Sequence, residues 1–106
     1  MKTTMETWTI KKLLEADLKP HPFCRKVGQW SDKENILLID SILRDFYIPP
    51  ICLVKDKDNY LILDGIQRIH AIKNSNKNLE DKEIFVSILE NATDKQLAIN
   101  FEMLNS

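Results

Sequence analysis

Two stretches in the first half of the chain carry apolar residues at helical spacing. The segment Trp8–Ala16 predicts a short helix that ends ahead of Pro20 and Pro22, because proline cannot continue a helix. A longer helix is predicted to begin at Ser31, since Ser31 and Glu34 fit a capping box that precedes an apolar stripe. The stripe consists of Ile39, Ile42, Leu43 and Phe46.

The second half of the chain alternates short β-type runs with helical patterns. Two β-type runs, Ile51–Lys55 and Tyr60–Leu63, are joined by the polar connector Asp56–Asn59. This pattern predicts a hairpin. Ile84–Leu89 predicts a third strand, and a second capping box at Thr93 precedes a final amphipathic helix. The predicted order is helix, helix, strand, strand, short helix, strand, helix, which is typical of a small α+β domain.

Composition places the chain among ordinary globular proteins. Its 106 residues are enough for one hydrophobic core, and 43% of them are hydrophobic and 29% charged. The formal net charge of −1 argues against a surface that binds nucleic acid throughout, although a local basic patch stays compatible with it. No apolar run reaches membrane-spanning length and the N-terminus lacks a signal-peptide core, so we expect a cytoplasmic protein. Cys24 and Cys52 fit two reduced thiols better than a disulfide or a metal site.

The segment Asn59–Lys73 contains one of only two glycines and runs from a predicted strand into a predicted helix. Gly65 would let a ligand approach the backbone closely, and the first helical amides carry partial positive charge. Arg68 in the first turn would add donors suited to phosphate. In the simpler interpretation Asp64 only caps the helix and Arg68 is only a surface charge. From these residues alone the simpler interpretation is favoured, because a lone Asp-Gly-x-x-Arg pattern is not specific.

Four stretches, in order, resemble the ParB/sulfiredoxin-like superfamily. The closest likeness is to its DGQQR-type branch, found in GmrSD-like restriction proteins and other bacterial anti-phage systems. FCRKVGQWSDKE resembles the early segment of that branch and puts Arg25 on its arginine, within a stretch, Lys19–Gln29, that we expect to be irregular. LLIDSILRDFYIPPICLV resembles the helix, Ile-Pro pair and strand of the family, and FEMLNS resembles a later Phe-x-x-x-Asn-Ser run. LILDGIQRIHAI resembles the signature itself, with matching positions at Asp64, Gly65, Gln67 and Arg68.

The resemblance covers Trp8–Ser106 and implies a short mixed sheet with flanking helices. We therefore expect a single ParB/sulfiredoxin-like domain over residues 1–106, either complete or as the N-terminal fragment of a longer protein. Ile66 replaces the first glutamine of the signature. The reactive cysteine of the sulfiredoxin loop has no counterpart here, and only Arg68 remains of the more basic partition-protein loop. Sulfinic acid repair is therefore not expected, and a CTP-dependent clamp is not assumed.

The resemblance implies a nucleotide-phosphate site in a restriction or anti-phage protein, with NTP hydrolysis and sensing or cutting of DNA as associated activities. Arg68 would contact phosphate, Gly65 would offer its backbone and Gln67 would position the substrate. Asp64 would orient a metal ion or a catalytic water, with Mg²⁺ entering together with the NTP. Arg25 would supply a second positive charge. The implied partners are a nucleotide, DNA, and a second domain or subunit.

Two other functions stay open from the sequence. A DNA-binding or nuclease module without nucleotide is one, and the near-neutral charge counts against it. A small regulatory interaction protein that has lost catalysis is the other, and the departure at Ile66 favours it. Asn105 is either a helix cap or a further residue of the nucleotide site. Trp30 is more readily a core residue than one that stacks on a base.

Overall fold

The computed structural model describes residues 1–24 and 30–104. Within these ranges the chain forms one five-stranded sheet and four α-helices. In chain order the elements are β1 (Lys2–Thr9), α1 (Ile10–Glu15), β2 (Lys19–Pro20), α2 (Asp32–Leu43), β3 (Ile51–Asp56), β4 (Asn59–Asp64), α3 (Ile66–Lys73), β5 (Glu83–Glu90) and α4 (Asp94–Leu104). None of the described helices is long and apolar enough to cross a membrane.

The strands lie in the order β1-β5-β3-β4-β2. The β1–β5 and β3–β4 pairs are antiparallel, whereas β3 pairs with β5, and β2 with β4, in parallel. A parallel pair needs a crossover connection, and β4 together with α3 provides it between β3 and β5. The mixed sheet with flanking helices confirms the predicted α+β class.

Side chains of the central strands alternate between the two faces of the sheet. On β3, Ile51 and Leu53 enter one buried cluster, whereas Cys52 and Val54 enter another. The first cluster also takes buried residues from α1, α2 and α3, and the second takes Leu97 from α4. Three helices therefore cover one face of the sheet and α4 lies on the other.

Both predicted capping boxes are present. The Ser31 hydroxyl accepts a hydrogen bond from the Glu34 amide at 3.2 Å, and the Ser31 amide donates to the Glu34 carboxylate at 3.4 Å. In the same way, the Thr93 hydroxyl accepts a hydrogen bond from the Gln96 amide at 3.2 Å, and the Thr93 amide donates to the side-chain oxygen of Gln96 at 2.9 Å. These bonds satisfy amides that have no partner inside a helix, and so they fix where α2 and α4 begin. The hairpin and the third strand are also confirmed.

The prediction of a helix over all of Trp8–Ala16 is wrong in its first part. Trp8 belongs to β1, which pairs with β5 over its full length, and the helix begins only after Thr9. The cause is visible in the segment Lys2–Thr9, where threonines favour a strand and alternate residues face the core. Trp8 is the innermost of these, at 1% exposure. The expected irregular stretch after α1 likewise begins with the short strand β2.

The last residue of the apolar stripe predicted on α2, Phe46, lies beyond the end of the helix. The helix ends at Leu43, because Asp45 adopts a left-handed backbone conformation with φ of 57°. Phe46 is consequently not part of the helix and is 58% exposed. Cys24 and Cys52 are reduced thiols, as expected.

Candidate functional site

A cavity of about 610 Å³ lies where β4 leads into α3. The corner from Leu63 to Arg68 forms its base. Residues of α2 line one side, and Phe101 and Leu104 of α4 line another. Because α2 and α4 pack on opposite faces of the sheet, they flank the cavity at the end of β4. The cavity thus contains the residues that the sequence places at the predicted corner.

Gly65 forms the turn at the base of the cavity and is the N-cap residue of α3. Its φ of 109° lies in the region that residues other than glycine rarely adopt. A Cβ atom here would lie 3.1 Å from Cγ1 of Ile51 and 3.2 Å from Nη2 of Arg68. Within the described chain no side chain caps α3, so the interpretation of Asp64 as its cap is wrong. The N-cap residue of α3 thus gives its first amides no side-chain hydrogen bond.

Arg68 is buried, with 9% of its surface exposed, so its interpretation as a surface charge is also wrong. Its Nη2 donates to Oδ2 of Asp64 at 3.1 Å, and its Nη1 donates to the carbonyl oxygen of Pro49. These bonds tie the first turn of α3 to the ends of β4 and of the segment before β3. Burial lowers the pKa of the Arg68 guanidinium, an effect that the Asp64 carboxylate opposes, and the group stays charged at neutral pH.

The charge of the cavity is set by few groups. Its polar side chains in the described chain are Glu34, Ser41, Asp64, Gln67 and Arg68. Two of these are carboxylates and one is a guanidinium, which leaves this part of the lining with a formal charge of −1. A polyphosphate that enters the cavity therefore needs a compensating cation.

A preformed metal centre is absent from residues 1–24 and 30–104, in which no three His, Cys, Asp or Glu side chains are grouped suitably. Asp64 is the carboxylate at the corner that could face a cation. Mg²⁺ in proteins is commonly bound by one or two carboxylates together with the phosphates of a substrate. Asp64 thus fits a metal ion that arrives with a nucleotide.

Two thiols lie near the corner. Cys24 lines the cavity, and its pKa is raised by partial burial and by the negative charge of Asp64. Burial raises the pKa of Cys52 as well; Asp64 adds to this rise, whereas a hydrogen bond from Ser87 and the charge of Arg68 oppose it. Reactive cysteines have a lowered pKa, so neither thiol is activated as a nucleophile.

Sequence reasoning missed the apolar half of the cavity. Trp30 and Leu37 line it beside α2, and Phe101 and Leu104 line it from α4. Trp30 packs against the first buried cluster, as its interpretation as a core residue requires, but it also borders the cavity. Periodicity places Phe101 on an apolar helix face; only the packing of α4 brings it beside the corner.

The structure thus brings together four of the predicted site residues at one cavity: Asp64, Gly65, Gln67 and Arg68. Arg25 and Asn105 lie outside the described residues.

Residues 21–106 match a family model described as the N-terminal domain of the GmrSD restriction endonuclease. No curated protein matches the chain significantly.

Two solved structures share the fold. One is the C-terminally truncated chromosome-partitioning protein ParB from Caulobacter crescentus complexed with CTP-γ-S, with 19% identity, a TM-score of 0.60, and coverage of 96% of this chain and 52% of that chain. The other is a Pnob8-like ParB-N domain, with 23% identity, a TM-score of 0.56, and coverage of 97% and 36%. The chain therefore spans about half or less of each of these proteins.

Proposed function

Since this chain belongs to the family of N-terminal domains of GmrSD restriction endonucleases, we propose that it binds the phosphates of a nucleoside triphosphate at the corner Asp64–Arg68. The observation that carries the proposal is the cavity of about 610 Å³ at the start of α3, where Gly65 is the N-cap residue. Small-molecule sites commonly measure about 300–1,000 Å³, so a nucleotide is a suitable occupant. The ParB structure with CTP-γ-S supports the same class of ligand, because its fold is shared.

Each residue of the corner has a proposed role. The backbone of Gly65 allows phosphate to approach the first amides of α3, which favour an anion. Arg68 supplies positive charge from its buried position beside Gly65, and Gln67 positions the substrate through hydrogen bonds. Asp64 orients the water or the Mg²⁺ that accompanies the phosphates. Arg25 and Asn105 are proposed as further contacts on the strength of the sequence resemblance alone.

Hydrolysis of the NTP, with DNA sensed or cut by the whole restriction protein, is the finer part of the proposal. In hydrolysis the oxygen of a water molecule bonds to the γ-phosphorus, and the bond from the γ-phosphorus to the β–γ bridging oxygen breaks. The nucleoside diphosphate leaves with that oxygen, and the proton of the water passes to the released phosphates or to solvent. The reaction depends on positioning and on positive charge around the transferred group. Arg68 is the one cation in the described lining and is already paired with Asp64. Turnover therefore calls for a second cation, for which Arg25 is the candidate in this chain.

Isothermal titration calorimetry tests the binding step. ATP, GTP, CTP and UTP, each with Mg²⁺, are titrated into the wild type, Arg68→Ala and Arg68→Lys. Arg44→Ala is the matched control, because Arg44 also pairs with an aspartate four residues away but lies on the surface. We expect binding to the wild type and to Arg44→Ala, and at least about tenfold weaker binding to the Arg68 variants, the loss of one charge-assisted contact.

Binding of no nucleotide by the wild type would overturn the proposal. Because Arg68 is buried, circular dichroism must first show that its variants fold. Gln67→Ala offers a second test at a half-buried side chain, with weaker binding expected once circular dichroism has shown that the variant folds.

A second function has specific support. Arg68 is occupied by Asp64 and Pro49, and this pairing suits a structural role as well as a phosphate contact. Ile36 and Leu37 on α2 are 67% and 66% exposed, which suits contact with another protein surface. A domain that keeps the fold for protein interaction would bind no nucleotide.

A DNA-binding module would instead show salt-sensitive DNA affinity that is independent of nucleotide.

A further inference from the structure

We propose that the apolar half of the cavity holds the nucleobase, which contacts the Trp30 indole and the Phe101 ring while the phosphates lie at Gly65. The inference rests on the proposed nucleotide function and adds to it the orientation of the ligand. It makes Trp30 and Phe101 binding residues.

The cavity has two chemically different ends. Asp64, Gln67 and Arg68 come from the single corner between β4 and α3, which also contributes the aliphatic Leu63 and Ile66. Both aromatic side chains of the described lining, Trp30 and Phe101, come from outside that corner. A ligand that fits both ends is charged at one end and flat and apolar at the other. A nucleoside triphosphate has this form, and inorganic phosphates do not.

The polar groups on the α2 side are engaged in local structure. The Glu34 carboxylate accepts bonds from the amide and hydroxyl of Ser31, and the Ser41 hydroxyl donates to the carbonyl oxygen of Leu37. The α2 side therefore presents the apolar surface of Leu37 and Leu38 beside the Glu34 carboxylate. Base stacking on aromatic side chains tolerates any base, because every base has a π-face.

The two rings are held by the core on opposite faces of the sheet. Trp30 packs against the first buried cluster and directly precedes Ser31, which caps α2. Phe101 packs against the second cluster. Rings supported in this way lose little freedom when a ligand binds, which favours affinity.

Tryptophan fluorescence gives a direct readout. The chain has two tryptophans, and Trp8 is only 1% exposed within the sheet. Addition of an NTP with Mg²⁺ is expected to quench the emission of the wild type. The Trp30→Phe variant, which retains Trp8, should bind the nucleotide with no change in emission.

Affinity measurements separate the contribution of the base to binding from that of the phosphates. Trp30→Leu and Phe101→Leu are expected to weaken NTP binding about tenfold, the loss typical of one stacking contact. Binding of inorganic tripolyphosphate with Mg²⁺ should stay unchanged in both variants. Phe85→Leu is the matched control, because Phe85 lies on β5 away from the cavity lining and is 49% exposed.

The outcomes distinguish this inference from the function on which it rests. If both variants bind NTP as the wild type does while Arg68→Lys does not, the nucleotide site stands and the base lies elsewhere. If NTP and tripolyphosphate weaken equally, the rings only support the corner and the inference is overturned. If the wild type binds neither ligand, both the proposed function and this inference fail.

Discussion

The guanidinium of Arg68 lies 3.1 Å from the carboxylate of Asp64, and its side chain is only 10% exposed. Arg44 and Asp40 form the same kind of pair at 3.2 Å, with the same spacing of four residues, but the Arg44 side chain is 63% exposed. Water screens the surface pair far more than the buried one. The residue proposed to contact phosphate is therefore also a structural residue.

This contrast predicts different coupling energies in two double-mutant cycles. For Asp64→Asn with Arg68→Gln we expect a coupling of about 1–3 kcal/mol, as for contacting residues in one network. For Asp40→Asn with Arg44→Gln we expect about 0.3–0.5 kcal/mol. Urea unfolding of each single and double variant measures both cycles. Equal coupling in the two cycles would mean that water screens the Arg68 pair as fully as the surface pair.

Gly65→Ala is expected to destabilise the fold by about 1–3 kcal/mol and to weaken nucleotide binding. The methyl group would meet Ile51 at 3.1 Å, and the backbone would be held at a φ that alanine rarely adopts. Asn91→Gly is the opposite control, since Asn91 has a φ of 54° and glycine adopts it without strain. Thermal unfolding should show a lower melting temperature only for Gly65→Ala. An unchanged melting temperature there would mean that the turn relaxes without strain.

Local patterns predicted much of the fold because their chemistry is local. The Ser31 and Thr93 caps and the apolar run that forms β3 are set by neighbouring residues. The start of the chain was mispredicted because Trp8 fits either a helix face or a strand face, and only pairing with β5 decides between them.

The cavity was predicted only in part for a similar reason. The residues at its corner are consecutive in sequence. Trp30 and Phe101, in contrast, lie on different faces of the sheet and meet at the cavity only through tertiary packing. The burial of Arg68 also depends on Pro49, which is distant in sequence.

Cys24 is expected to report occupancy of the cavity. Partial burial and Asp64 raise its pKa, so iodoacetamide should alkylate it more slowly than a free thiol at pH 8. Bound NTP with Mg²⁺ should slow the reaction further by covering the cavity. Mass spectrometry of the intact protein follows the reaction, and Cys24→Ser identifies the site. Alkylation at the same rate with saturating nucleotide would mean that the ligand lies away from Cys24.

The stability of the fold is expected to fall at alkaline pH in part through Cys52. Because burial raises the pKa of this thiol in the folded state, the folded state keeps a proton that the unfolded state loses. The contribution is complete below the unfolded thiol pKa of about 8.5 and is lost as pH rises through the folded value. Urea unfolding from pH 7 to 10 should therefore show a steeper loss for the wild type than for Cys52→Ala. Parallel curves would contradict the prediction.

Glu34→Gln is expected to strengthen binding of NTP with Mg²⁺ by about threefold, since it removes one of two carboxylates from the described lining. Glutamine at this position still completes the capping box with Ser31, so the stability of α2 should change little. Asp32→Asn is the matched control, because Asp32 is also in the first turn of α2 but does not line the cavity.

Calorimetry at 50 and 300 mM salt measures nucleotide binding by both variants. The gain should shrink at high salt, because Glu34 is exposed and salt screens its charge. Equal gains in the two variants would reflect the net charge of the protein, and no gain in Glu34→Gln would mean that the charge of Glu34 does not act on the phosphates bound at the corner.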